Sequence, residues 1–176
     1  MNKIDEIKVH HDNILCPSII GEALKPFCTN DLIIICIGTD KCIGDCLGPL
    51  VGTLLKKENL PFKVYGTLEE PIHALNIKKR TKQIKLKHPM NYTIAIDACL
   101  GERDSVGHIQ IRRGPIFPGK GVGKKLPSIG NLSIIGIVDT ANDDFNLSLH
   151  SIRLGFIMKM AESIVESFRY AYNDSL

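Results

Sequence analysis

The sequence predicts a three-layer α/β/α domain built on a mostly parallel central sheet. Three runs carry that expectation: LIIIC (Leu32–Cys36), YTIAI (Tyr92–Ile96) and LSIIGIV (Leu132–Val138). Each is continuously apolar, the mark of a strand covered on both faces. Segments with helical spacing separate them, and strands that alternate with helices favour parallel pairing. The chain has 176 residues, enough for one domain (1–176) to bury its own core without a disulfide or metal staple.

Residues 1–15 are polar and poorly patterned, and are expected to form an extended arm. Ser18, Glu22 and Leu24 mark a short helix before Asn30. The first strand, Leu32–Cys36, ends near Gly38 and passes through TDKCIGDCLG into PLVGTLLKKE (Pro49–Glu58). There, proline in a first turn and Leu50, Leu54 and Leu55 at helical spacing predict a helix. A second strand is expected over Phe62–Gly66 and a helix over about 71–87. The third strand, Tyr92–Ile96, is expected to stop at Asp97. HIQIR (His108–Arg112) alternates and predicts a more exposed strand, followed by a glycine- and proline-rich loop over Gly114–Gly130. The fourth apolar strand ends at Asp139. Leu149, Ile152, Phe156, Ile157, Met160, Ile164 and Phe168 trace one face of a long helix over about Ser148–Tyr172.

Composition narrows the functional classes. Apolar residues make up 44% and charged residues 23%, a globular balance that argues against disorder. A net charge of +3 is too slight to imply nucleic acid as a partner. No apolar run reaches the ~18 residues of a membrane span, and no membrane partner is expected. The amino terminus lacks the pattern of a secretory signal, so a cytoplasmic location is expected. The six cysteines, with no CxxC pair among them, are expected to be reduced thiols.

In open α/β sheets, ligands collect beyond the carboxyl ends of the strands. Asp40 and Asp45 follow the first apolar strand, Asp97 the third and Asp139 the fourth. Right-handed crossovers bring such strand ends to one edge, where distant carboxylates can converge. Two close carboxylates do not both ionise cheaply, so one keeps a proton and the pair supplies an acid and a base. The same pair could instead hold a divalent metal, or each aspartate could simply cap a helix or bind loop amides.

At these residues a family resemblance appears. IGTDKCIGDCLGPLVGTLL (Ile37–Leu55), VYGTLEEPIHALN (Val64–Asn76), IAIDACLG (Ile94–Gly101) and GPIFPGKGVGKK (Gly114–Lys125) resemble the YyaC-type sporulation proteins along the whole chain. The first, third and fourth blocks are also similar to the spore germination protease. More distantly, the opening βα unit is similar to the hydrogenase maturation proteases. The resemblance implies an α/β fold of the phosphorylase/hydrolase-like type. It also implies a peptidase whose acidic site residues fall at Asp45 and Asp97, acting on an acidic spore protein in the sporulating cell or spore. A required cofactor is not implied. In the maturation proteases the matching positions bind metal with a histidine, and no histidine of this chain matches that third ligand.

Gly44 and Gly48 are expected to offer loop amides to the substrate. GPIFPGKG approaches a phosphate-loop spacing but places Gly121 where Ser or Thr should hold magnesium. A loop over the acidic site is the better reading, with Gly119, Gly121 and Gly123 supplying mobility and Lys120 meeting an acidic peptide. NIKKRTKQIKLKH (Asn76–His88) holds six basic residues and no acid, a solvated basic face or a docking surface for an acidic protein. His73, His88, His108 and His150 are dispersed. The leading expectation is peptide hydrolysis by Asp45 and Asp97. A non-catalytic peptide- or protein-binding protein and a nucleotide-dependent enzyme are the alternatives.

Overall fold

The computed structural model describes residues 6–118, 126–141 and 152–173. Its centre is a six-stranded sheet of β1 (Glu6–His10), β2 (Ile33–Cys36), β3 (Lys63–Tyr65), β4 (Thr93–Gly101), β5 (His108–Arg113) and β6 (Leu132–Thr140). The spatial order is β1-β5-β6-β4-β2-β3. Pairing is parallel from β3 through β2 and β4 to β6 and antiparallel for β6–β5 and β5–β1.

Helices α1 (Cys16–Leu24), α2 (Leu47–Lys57) and α4 (Leu154–Asn173) cover one face, and α3 (Ile77–Lys87) lies on the other. Strand alternation divides the core between the two sides. Ile34, Cys36, Ile94, Ile96 and Ile134 pack towards α1, α2 and α4. Ile33, Ile35, Ala95 and Ile135 pack with Ile77 and Ile84 of α3. The three-layer α/β architecture with a mostly parallel sheet is therefore the one observed.

Helix α4 buries Ile157, Met160, Ala161, Ile164, Val165, Phe168 and Ala171, the stripe expected of an amphipathic helix lying on a sheet. It starts at Leu154; Ile152 is buried ahead of it, Phe156 is only half-buried, and Leu149 lies outside the described residues. Its Arg169 clamps both carboxylate oxygens of Glu58, just past the end of α2, at 2.7 Å each.

Three expectations change. The amino-terminal arm supplies β1, an edge strand in which only Val9 is buried. The helix expected from about residue 71 begins at Ile77, because residues 71–76 form a bonded loop. There the Asn76 side chain donates to the Pro71 carbonyl and accepts the His73 N–H. Strand β4 does not stop at Asp97 but runs to Gly101, held there by β6. None of the described helices is long and apolar enough to cross a membrane.

Candidate active site

The site is built where β2 ends. Ile37 N–H donates to the Ile96 carbonyl at 2.8 Å and Gly38 N–H to the Ile72 carbonyl at 2.9 Å. The chain then turns away at Gly38, whose φ of +137° suits glycine. A Cβ on Gly38 would lie 2.0 Å from the Asp45 carbonyl oxygen, and that same oxygen accepts the Thr39 N–H at 3.0 Å. The loop thus folds back tightly before a 3-10 turn over Ile43–Cys46 leads into α2. At the head of α2, Gly48 rests directly on β2, where a Cβ would lie 2.0 Å from the Ile37 oxygen. These two close approaches hold Asp45 at the carboxyl end of β2.

Asp97 comes from the neighbouring strand. Cys36 pairs with Ile96, so Asp97 is the first β4 residue beyond the β2 ladder. On its other side β4 stays paired, Asp97 opposite Ile135. β2 and β4 are neighbours although α2, β3 and α3 separate them in sequence, so the strand order reverses here. Such a reversal opens the crevice in which α/β sheets place their ligands. The half-buried Asp97 accepts one hydrogen bond from Ala98 N–H at 2.9 Å.

The two carboxyl groups are electrostatically coupled. Burial raises the pKa of Asp45 to about 6, against a smaller lowering by the Thr39 N–H. Burial also pushes Asp97 well above the usual carboxylate range, and the Asp45 charge pushes it further. Asp45 therefore ionises first, and its charge helps Asp97 keep its proton. The pair is thus disposed to hold one carboxylate and one carboxylic acid, with Asp97 the member that keeps its proton longer.

This arrangement costs stability in a defined pH window. A carboxyl group whose native pKa is raised binds more protons folded than unfolded, so its contribution to stability falls as pH rises through the native value. The contribution is complete below pH ~4 and is lost as pH passes about 6 for Asp45 and then the higher value for Asp97. After discounting for partial exposure, Asp45 alone is expected to cost ~1–2 kcal/mol at pH 7. Urea unfolding between pH 4.5 and 8 should show Asp45→Asn gaining on the wild type as pH rises. Parallel stability curves for the two proteins would contradict the shift.

Neither Asp40 nor Asp139 is among the charges that shift Asp45 or Asp97. Asp40 is exposed in the loop. Asp139 lies four residues beyond the β6 partner of Asp97, ~13 Å along the strand. It lines a cavity of 740 Å³ with Gly101, Glu102, Arg103, Thr140 and Ala141, past the ends of β4 and β6 and away from the carboxyl pair. Gly44 and Gly48 are both buried, and close packing on Ile37 accounts for the glycine at 48. Gly119, Lys120, Gly121 and Gly123 lie outside the described residues, as does His150. His73 is tied into its own loop, its Nδ1 accepting the Leu75 N–H at 3.3 Å.

Cys46 and Cys99 do not supply a nucleophile. Cys46 is raised to about 11, first by burial and then by the charges of Asp40 and Asp45. Cys99 is also raised to about 11, by burial and by Asp97. Both remain thiols at neutral pH, and the thiolate is the reactive form. No third His, Cys, Asp or Glu among the described residues gathers with Asp45 and Asp97, so a divalent cation held by the pair would complete its shell with water or substrate. The trio that does gather is His10, His11 and Asp12, which the sequence reading passed over.

Fold and site define a three-layer α/β protein with a coupled aspartate pair at the switch point of its parallel strands. The chain belongs to the family described as "Protein of unknown function (DUF1256)", which matches residues 3–167. It is 43% identical over 150 residues to "Uncharacterized protein YyaC" of Bacillus subtilis (strain 168), an alignment covering 85% of this chain and 73% of that protein.

Proposed function

We propose that the protein is a peptidase of sporulating cells that cuts a protein substrate with Asp45 as base and Asp97 as acid. The observation that carries the reading is the coupled pair itself, in which burial raises both carboxyl groups and the Asp45 charge raises Asp97 further. The resemblance of the GDCLGP and IAIDACLG blocks to the germination protease supports the same assignment and suggests a substrate class, the small acid-soluble spore proteins. Helix α3 suits a substrate with an acidic segment, since Lys78, Lys79, Lys82, Lys85 and Lys87 are exposed along it. The cytoplasm of the sporulating cell is the compartment this function requires.

In the proposed step, the Asp45 carboxylate takes a proton from water as its oxygen bonds to the peptide carbonyl carbon. Asp97 donates its proton to the departing amide nitrogen as the C–N bond breaks. The proton on Asp45 then returns to Asp97 through solvent, restoring the starting state. The chemistry needs no metal.

The test is incubation of the purified protein at pH 7 with acid-soluble spore proteins, with and without EDTA, followed by mass spectrometry. Cleavage at defined bonds, retained in EDTA, is expected. A stable complex with an uncut protein would establish the binding-only alternative and overturn catalysis.

A further inference from the structure

A second site lies at the opposite edge of the sheet, where β1 meets β5. Gly107, just before β5, adopts a φ of +87° and organises two imidazoles. Its bare Cα accommodates the His10 ring, for a Cβ there would stand 2.3 Å from His10 Nε2. Its carbonyl accepts the His11 backbone N–H at 2.9 Å and bonds His11 Nδ1 at 2.8 Å. A carbonyl can only accept, so the hydrogen is on Nδ1 of His11. In the neutral ring, Nε2 then carries a lone pair, and it faces the Asp12 carboxylate at 3.3 Å. Two acceptors meeting at that distance repel unless a positive charge joins them.

His10 adds a third donor. Its Nδ1 carries no hydrogen, because it accepts the Asp12 N–H at 3.3 Å, a long bond that ligation at this nitrogen would replace. One ligand atom each from His10, His11 and Asp12 lies within 4.8 Å of the others. Ligands ~2.1 Å from a tetrahedral ion sit ~3.4 Å apart, so a modest side-chain rotation closes the set. Asp12 is exposed and has room to make it, whereas His11 is buried and fixed. An imidazole anchored through its Nδ1–H to a backbone carbonyl is the usual outer-shell support of a metal-ligating histidine. His108 stands edge-on to His10 with ring centroids 5.2 Å apart. Its Nδ1 is anchored in the same way on the Ser105 carbonyl at 3.1 Å.

The geometry points to a divalent transition-metal site of the zinc class formed by His10, His11 and Asp12. Imidazole with carboxylate is the donor set such ions take. The His11 that ligates the ion is itself bonded to Gly107, in the turn that opens β5. The site stands apart from the aspartate pair and does not depend on peptidase activity.

Calorimetric titration of the full chain with Zn²⁺, paired with absorption spectra of its Co²⁺ complex, tests the assignment. The expected result is one ion per chain, with cobalt bands free of thiolate charge transfer. Asp12→Asn and His10→Gln should each weaken binding at least ~10-fold, and Zn²⁺ should raise the wild-type melting temperature more than theirs. Asp12 is exposed, so its variant should keep the native circular dichroism. Absence of binding at millimolar Zn²⁺ would overturn the proposal and leave His11 and Asp12 as an ordinary ion pair. Unchanged affinity in both variants, or a thiolate band, would overturn it equally by moving the ion to the cysteines.

Discussion

Asp45→Asn and Asp97→Asn are each expected to lower the proposed peptide hydrolysis by about 10³-fold, within the range that one positioned proton-transfer group contributes. Neither change removes volume, and neither breaks a bond between secondary-structure elements, so both variants should keep the wild-type fold. Wild-type activity should rise with pH through about 6, where Asp45 becomes a base, and fall again where Asp97 loses its proton. A reciprocal measurement separates a working pair from two acids that merely share a crevice. With Asp45 neutralised, the Asp97 proton loses one of the two influences that hold it. Its carboxyl resonance should then titrate at lower pH in Asp45→Asn than in the wild type. An unmoved Asp97 titration would dissolve the pair, and full activity in either variant would remove that aspartate from the chemistry.

The strands that hold the pair were legible because each is buried on both faces. Leu32–Cys36, Tyr92–Ile96 and Leu132–Val138 were predicted as apolar runs, and β2, β4 and β6 contain most of each run. Strand β1 was not legible, for the opposite reason. It is an edge strand paired only with β5, and its sequence EIKVH carries a single buried side chain. The pattern of an apolar run followed by aspartate marks Asp97 and Asp139 alike, yet it is Asp97 whose pKa the Asp45 charge raises. Topology decides between them. β4 borders β2, whose loop carries Asp45, while β6 lies between β4 and β5.

The run of β4 past Asp97 escapes the sequence pattern for a related reason. A polar residue after four apolar ones resembles a strand end, but β4 loses only its β2 partner there and stays paired with β6 as far as Gly101. The His10-His11-Asp12 run was visible in the sequence, but what makes it a candidate site is the backbone of Gly107. That residue is 96 positions from His11, and no local pattern announces the contact. Gly48 is the reverse case. The sequence marked it as special beside Asp45, and the structure supplies a reason in the carbonyl it rests upon.

Gly48→Ala is expected to destabilise the fold by about 3 kcal/mol or more, because the new methyl has nowhere to go. Its carbon would stand 2.0 Å from the Ile37 oxygen and 2.8 Å from the Ile37 nitrogen. Both atoms are backbone, in a residue held to Ile96 by a 2.8 Å hydrogen bond, so no side-chain rotation relieves the clash. For a chain of this length the loss corresponds to a fall in melting temperature of about 6–12 °C. Gly155→Ala is the control. Gly155 sits on the exposed first turn of α4, where an added Cβ meets nothing within 4 Å, and the change should leave stability within ~0.5 kcal/mol or raise it slightly. The damage at Gly48 should also reach the site. Relieving the contact moves the head of α2 off β2, and Asp45 lies three residues upstream on the same rigid turn. Its distance from Asp97 then grows, and the Asp97 pKa should fall towards the ordinary range. If Gly48→Ala melts like the wild type with its Asp97 titration unchanged, α2 does not rest on Ile37 as described. The account of how Asp45 is brought to Asp97 would fail with it.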